Sequence, residues 1–216
     1  MKQELEAILS FGAQAVSGAK TVFDEAASRS LDRLIQGNSG YKEISSNPAE
    51  LTQTLREATM QNGQSPLAVV VCCSDSRVPP EHIFHAGIGE LFVIRNAGNL
   101  ISQFALGSAE YAVEHLGTPL VLLMGHTNCG AVSAALTPTQ ETGGLADILA
   151  EIRAAIGPEL DPRTAERKNA LHALATLGRS PILQALHRQG KVEFAAAIYD
   201  IRTGHVDFLQ DDSSPP

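Results

Sequence analysis

The apolar positions of this 216-residue chain fall into two patterns. Short unbroken runs occur at Leu67-Ala68-Val69-Val70-Val71, Leu91-Phe92-Val93-Ile94, Leu120-Val121-Leu122-Leu123-Met124 and Phe194-Ala195-Ala196-Ala197-Ile198-Tyr199. Bounded by turn signals such as Gln61-Asn62-Gly63-Gln64-Ser65-Pro66, they predict strands buried on both faces. The intervening stretches carry helical spacing. Leu5, Ile8 and Leu9 share one helix face, and a second pattern runs from Phe23 through Leu31, Leu34 and Ile35 to an expected stop at Gly37-Asn38. A third helix is predicted from Phe104 to His115, ahead of Leu116-Gly117. The interval from Thr137 to Gly190 is helical in composition, with Pro158, Pro162 and Pro181 as punctuation. Arg202-Thr203-Gly204 reads as a turn into a last strand around Val206 to Leu209.

Strand, helix and strand in alternation predict an α/β fold with a central, mostly parallel sheet flanked by helices, in which ligands gather at the carboxyl ends of the strands. No linker divides the chain, so a single domain over residues 1–210 is expected, with 1–36 as an N-terminal helical arm and 211–216 as a disordered tail. With 44% hydrophobic and 19% charged residues, there is apolar material for a full core. Sixteen basic against 24 acidic residues leave a formal charge of −8, and the scattered lysines and arginines disfavour a nucleic-acid partner. No run approaches the ~18 apolar residues that span a bilayer, and Met1-Lys2-Gln3-Glu4-Leu5-Glu6 suits an amphipathic helix better than a signal peptide. A soluble, cytoplasmic protein is expected. The three cysteines, Cys72, Cys73 and Cys129, are too few and odd in number for a disulfide framework, which points to a reducing compartment and thiols with another use.

Two of those cysteines stand where buried strands end. Val69-Val70-Val71 runs into Cys72-Cys73-Ser74-Asp75-Ser76-Arg77, and Leu122-Leu123-Met124 runs into Gly125-His126-Thr127-Asn128-Cys129-Gly130, so both loops open on one edge of the sheet. Cys73, His126 and Cys129 form a donor set suited to zinc. Three protein ligands leave the fourth tetrahedral position to water, the pattern of catalytic zinc, unless Asp75 closes the site as a fourth ligand. Arg77, two residues on, can hold the Asp75 carboxylate ionised and oriented, leaving it to accept a hydrogen bond from zinc-bound hydroxide. Cys72 should point away from Cys73 as a buried core thiol.

These residues resemble the β-class carbonic anhydrases. The resemblance rests on Cys73-Ser74-Asp75-Ser76-Arg77-Val78-Pro79, then Arg95-Asn96-Ala97-Gly98-Asn99, then Gly125-His126-Thr127-Asn128-Cys129-Gly130, in that order. Weaker similarity extends to Gly37-Asn38 with Tyr41, to Asn169, and to Tyr199-Asp200-Ile201 with Gly204. It implies a lyase that hydrates carbon dioxide to bicarbonate and a proton, with one Zn2+ per chain on Cys73, His126 and Cys129 and with Asp75 and Arg77 as the catalytic dyad. Asp75 could swing onto the metal at low pH. The resemblance further implies substrate contacts from Gln64, Phe92, Ala97, Tyr111 and the Gly130 N–H. Part of the pocket would come from a neighbouring subunit in a homodimer or dimer of dimers, with the N-terminal helices packing on the partner. Some bacterial relatives have a regulatory bicarbonate site that needs a Trp three residues before the first zinc Cys; Val70 stands there and the chain contains no Trp, so no such site is expected.

His82 and His85 follow the Asp75/Arg77 loop and are candidates for carrying the proton away, but a surface or capping role suits them better, and no shuttle is assigned. Two alternatives stand beside carbon dioxide hydration. The same zinc site could hydrolyse carbonyl sulfide or carbon disulfide, or the chain could be a non-catalytic zinc or redox-sensing protein using Cys72 and Cys73.

Overall fold

The computed structural model describes residues 25–43, 51–138 and 140–209. The Leu5/Ile8/Leu9 helix face, most of the N-terminal arm and the 211–216 tail lie outside them.

The elements in chain order are α1 (Glu25–Glu43), α2 (Gln53–Asn62), β1 (Ala68–Cys73), α3 (Pro80–Ile83), β2 (Leu91–Asn96), a single 3-10 turn (Ala97–Asn99), α4 (Gln103–Leu116), β3 (Leu120–His126), α5 (Gly130–Leu136), α6 (Gly144–Ile156), α7 (Pro162–Leu177), α8 (Pro181–Arg188), β4 (Glu193–Tyr199) and β5 (Val206–Phe208). The sheet runs β2-β1-β3-β4-β5. β1 pairs in parallel with β2 and β3, β3 pairs in parallel with β4, and only β5 is antiparallel. The mostly parallel sheet read from the apolar runs is therefore the one observed, and the helical interval after Thr137 resolves into α6, α7 and α8, with Pro162 and Pro181 in the first turns of the last two. A proline there loses no intrahelical hydrogen bond.

Strand periodicity divides the core in two. Val69, Val71, Val121 and Leu123 face α4, α7 and α8 in one apolar cluster, while Val70, Cys72, Leu122 and Met124 meet Leu34, Ile83 and Phe84 on the opposite face. A third cluster gathers Cys73 and Cys129 with Leu149, Ile152 and Ala165 from α6 and α7.

Two expectations need correction. β2 is not buried on both faces: all its residues are at least partly accessible, because it is an edge strand. The second is the stop at Gly37-Asn38. Helix α1 runs straight through both residues to Glu43. A Cβ on Gly37 would lie 1.9 Å from the Phe84 carbonyl oxygen, so this glycine serves close approach, not termination. Asn38 is buried and its amide nitrogen donates to the carbonyls of Ile83 (3.3 Å) and Gly204 (2.8 Å), while its Oδ1 accepts from the Val206 N–H (2.9 Å). The pair docks α1 onto the sheet.

Candidate metal and catalytic site

The site is assembled at the carboxyl ends of β1 and β3. Cys73 is the last residue of β1 and His126 the last of β3, and Cys129 follows in the loop that leads into α5. Asn128 takes a left-handed conformation, φ 56°, which lets this loop turn sharply. The ligand atoms of Cys73, His126 and Cys129 all lie within 4.8 Å of one another, and all three residues are buried.

Local hydrogen bonds fix each member. The Gly98 N–H donates to Cys73 Sγ at 3.4 Å. Gly98 sits at φ 76°, the left-handed region that favours glycine. His126 Nδ1 lies 3.0 Å from the Thr127 carbonyl, the arrangement in which Nδ1 carries the proton and Nε2 offers its lone pair. That Nε2 is buried and has no hydrogen-bond partner among the described residues. A buried, unpartnered ring nitrogen beside two thiols is costly unless a cation occupies the space between them, and the donor set fits zinc.

The electrostatics agree. A hydrogen bond from Cys129 pulls the Cys73 thiol well below its ordinary value, helped by His126 and the Gly98 N–H and opposed by burial. The same contact with Cys73, together with burial, pushes the Cys129 thiol up, so the first proton leaves Cys73. Burial works against a charged His126, but the proximity of Cys73, with the Thr127 carbonyl, outweighs it and raises its pKa. Cys72 is fully buried on the opposite face of β1, where desolvation lifts its thiol to about 12. It is inert packing, as its place in the strand implied.

Asp75 and Arg77 lie on the loop after β1. Arg77 donates from Nε to Asp75 Oδ1 at 2.9 Å and from Nη2 to Oδ2 at 2.8 Å, and its backbone N–H reaches Oδ1 at 2.9 Å. These bonds hold the Asp75 carboxyl well below the usual carboxylate range. Arg77 Nη2 also donates to the Asn128 carbonyl at 3.2 Å, tying the two loops together. Arg95 supports the first loop from β2, donating to the carbonyls of Cys73 (3.1 Å) and Asp75 (2.7 Å).

The remaining expected residues divide. Ala97 begins the turn whose Gly98 touches Cys73, and Gly130 opens α5 directly after Cys129, where its N–H has no intrahelical acceptor. Gln64 precedes the opposite end of β1, in a cleft of about 420 Å³ with Thr59, Ile88 and Glu90. Phe92 pairs with Val69, four positions and ~13 Å down the strand from the level of Cys73, and packs on Tyr111 with ring centroids 6.3 Å apart. Within one chain, Gln64, Phe92 and Tyr111 do not join Cys73. His85 does not face the site either: it is buried, with its ring against Gly40 and Tyr41.

Sequence reasoning missed Glu166. It is buried in α7, and its Oε1 accepts the Cys129 N–H at 3.1 Å. An acid at an otherwise apolar position of a helix was the available signal.

The family model for carbonic anhydrase matches residues 68–206, a span that contains both strand-end loops and all three metal-site residues. The chain belongs to the β-carbonic anhydrase family. It is 33% identical to a carbonic anhydrase of Mycolicibacterium smegmatis over 81% of this chain and 89% of that one. It is 44% identical to carbonic anhydrase 2 of Mycobacterium tuberculosis over 104 residues, 48% of this chain, and so spans about half (49%) of that relative's length. Crystal structures described as two tetrameric β-carbonic anhydrases from Sordaria macrospora include a chain that superposes with a TM-score of 0.61 at 27% identity, covering 72% of this chain and 91% of its own. Among the described residues, no helix is long and apolar enough to cross a membrane.

Proposed function

We propose that this protein is a zinc carbonic anhydrase that interconverts carbon dioxide and bicarbonate. One observation carries the reading: a Cys/His/Cys triangle with a free imidazole Nε2 has beside it an aspartate gripped twice by an arginine. Cys73, His126 and Cys129 would hold Zn2+, which supplies Lewis acidity that brings the pKa of a bound water to near ~7. Asp75, kept ionised by Arg77, accepts the hydrogen bond of the attacking water and aims its lone pair at the carbon of carbon dioxide. Arg77, through its bond to Asn128, keeps that carboxylate registered against the Cys129 loop. The Gly130 N–H donates to the oxygen on which charge develops as bicarbonate forms.

Carbon dioxide is small and uncharged, so an apolar pocket with one or two donors suits it. Ala97 supplies local wall, and Gln64, Phe92 and Tyr111 serve the site of a second copy, across the partly exposed edge of β2. The functional unit is then a homodimer or a dimer of dimers, as the relatives from Sordaria macrospora are tetrameric. Thiolate ligands need a reducing compartment, which fits the cytoplasm. Redox sensing by the vicinal cysteines is disfavoured, because Cys72 and Cys73 belong to clusters on opposite faces of the sheet.

The test is stopped-flow hydration of carbon dioxide by wild type, Cys73→Ser and Asp75→Asn, with zinc content measured on each and carbonyl sulfide and carbon disulfide assayed in parallel. Zinc should be lost in the first variant and retained without activity in the second. Full activity in Asp75→Asn would sink the dyad, and a zinc-loaded wild type that turns over only the sulfur substrates would replace the reaction.

A further inference from the structure

The metal triangle depends on loops from two strands, β1 and β3, and on the turn after β2. One helix reaches two of these segments. On α7, the Glu166 Oε1 accepts the Cys129 N–H at 3.1 Å. Asn169 Nδ2 donates to the Gly98 carbonyl at 2.8 Å, and the Gly98 N–H in turn donates to Cys73 Sγ. Glu166 and Asn169 are three residues apart, on one face of the helix, and are 3% and 1% exposed.

Each residue uses half of its capacity. Glu166 Oε2 and Asn169 Oδ1 are buried and have no partner among the described residues. Burying an acid and an amide with one polar atom left over is unfavourable for folding alone, and an apolar pair would pack α7 against the sheet at lower cost. We infer that Glu166 and Asn169 are positioning residues, a two-ended clamp by which α7 sets the separation of Cys129 and Cys73 and hence the fit of the metal between them. The inference rests on reading the triangle as a zinc site. It assigns an acceptor role to Glu166 and a donor role to Asn169, so their closest isosteres should behave in opposite ways.

The experiment compares the full chain with Glu166→Gln, Glu166→Ala, Asn169→Asp and Asn169→Ala. Zinc affinity is read by competition with a chromophoric chelator, and alkylation of Cys72, Cys73 and Cys129 in metal-free protein by mass spectrometry. Glu166→Gln keeps the acceptor and should bind zinc within ~3-fold of wild type, whereas the other three should lose ~10- to 100-fold, the usual cost of removing an outer-shell partner. Asn169→Ala should speed alkylation of Cys73 selectively and Glu166→Ala that of Cys129, with Cys72 unchanged in both. Loss in Glu166→Gln equal to that in Glu166→Ala, retention in Asn169→Asp, or a uniform rise at all three cysteines would overturn the clamp. A wild type that takes up no zinc would instead remove the zinc reading, and the alkylation pattern would still decide whether α7 holds the two thiols separately.

Discussion

Arg77 reaches back two residues and closes a fork on Asp75, Nε on one carboxylate oxygen at 2.9 Å and Nη2 on the other at 2.8 Å. A lysine could supply the charge but not the fork. Arg77→Lys should therefore retain zinc and lose at least ~10-fold in kcat for carbon dioxide hydration, less than the ~100-fold or more expected for Asp75→Asn. Equal activity in Arg77→Lys and wild type would show that charge alone suffices.

The pH dependence follows from the same pair. Asp75 is held so far below the usual carboxylate range that it stays ionised throughout the neutral region and does not shape the profile there. With zinc on Cys73, His126 and Cys129, as proposed, two thiolate ligands would donate more charge than imidazoles and blunt the acidification of bound water, so hydration should climb from pH 6 to pH 9. A stopped-flow profile that falls over that range would contradict this assignment.

Gln64 and Cys73 belong to opposite ends of β1, which makes complementation between subunits a direct test of the shared pocket. Gln64→Ala and Asp75→Asn should each be impaired alone. In a mixed dimer one site collects both lesions and the other collects neither, so random reassociation should recover roughly a quarter of wild-type activity. No recovery, with mixed dimers verified by mass spectrometry, would place Gln64 outside the partner's site.

Gly37 predicts a stability effect remote from the chemistry. Gly37→Ala would drive a methyl into the Phe84 carbonyl, 1.9 Å away before relaxation, and since backbone must move, the urea midpoint should fall by the equivalent of about 2–3 kcal/mol. An unchanged midpoint would mean that α1 shifts freely.

His85 provides a signed pH effect on stability. Burial, with the neighbouring charges of Arg33 and His82, pushes its pKa below the ordinary 6.5, and its buried Nε2 has no partner among the described residues. The unfolded chain therefore takes up the proton first. Stability is fully present above about 6.5 and declines as pH falls through that value toward the folded pKa. Asn tolerates the left-handed backbone at this position (φ 46°), so His85→Asn should flatten the loss of urea stability between pH 7 and pH 5 relative to wild type. Parallel pH curves for the two proteins would count against it.

Much of this was legible in the chain. Four uninterrupted apolar runs specified a buried, mostly parallel sheet, and such sheets place chemistry at strand ends, which is where Cys73 and His126 stand. Asp75 and Arg77 were legible because their pairing is local. What escaped were relationships that only tertiary approach creates. Gly37-Asn38 has the composition of a helix stop, yet its small size and paired amide serve docking to Phe84 and Gly204. Leu91-Phe92-Val93-Ile94 reads like any buried strand, since sequence carries no mark of being at an edge. Glu166 lies 37 residues from the backbone it supports, beyond the reach of any spacing rule.

The partly covered β2 edge has a consequence for how this protein must be handled. If a site borrows part of its wall from across that edge, dilution removes the wall while leaving the metal ligands in place. Specific activity would then report protein concentration as much as catalytic competence. A dilution series would show zinc content constant while turnover per chain declines, and the midpoint of that decline would be the dissociation constant of the assembly.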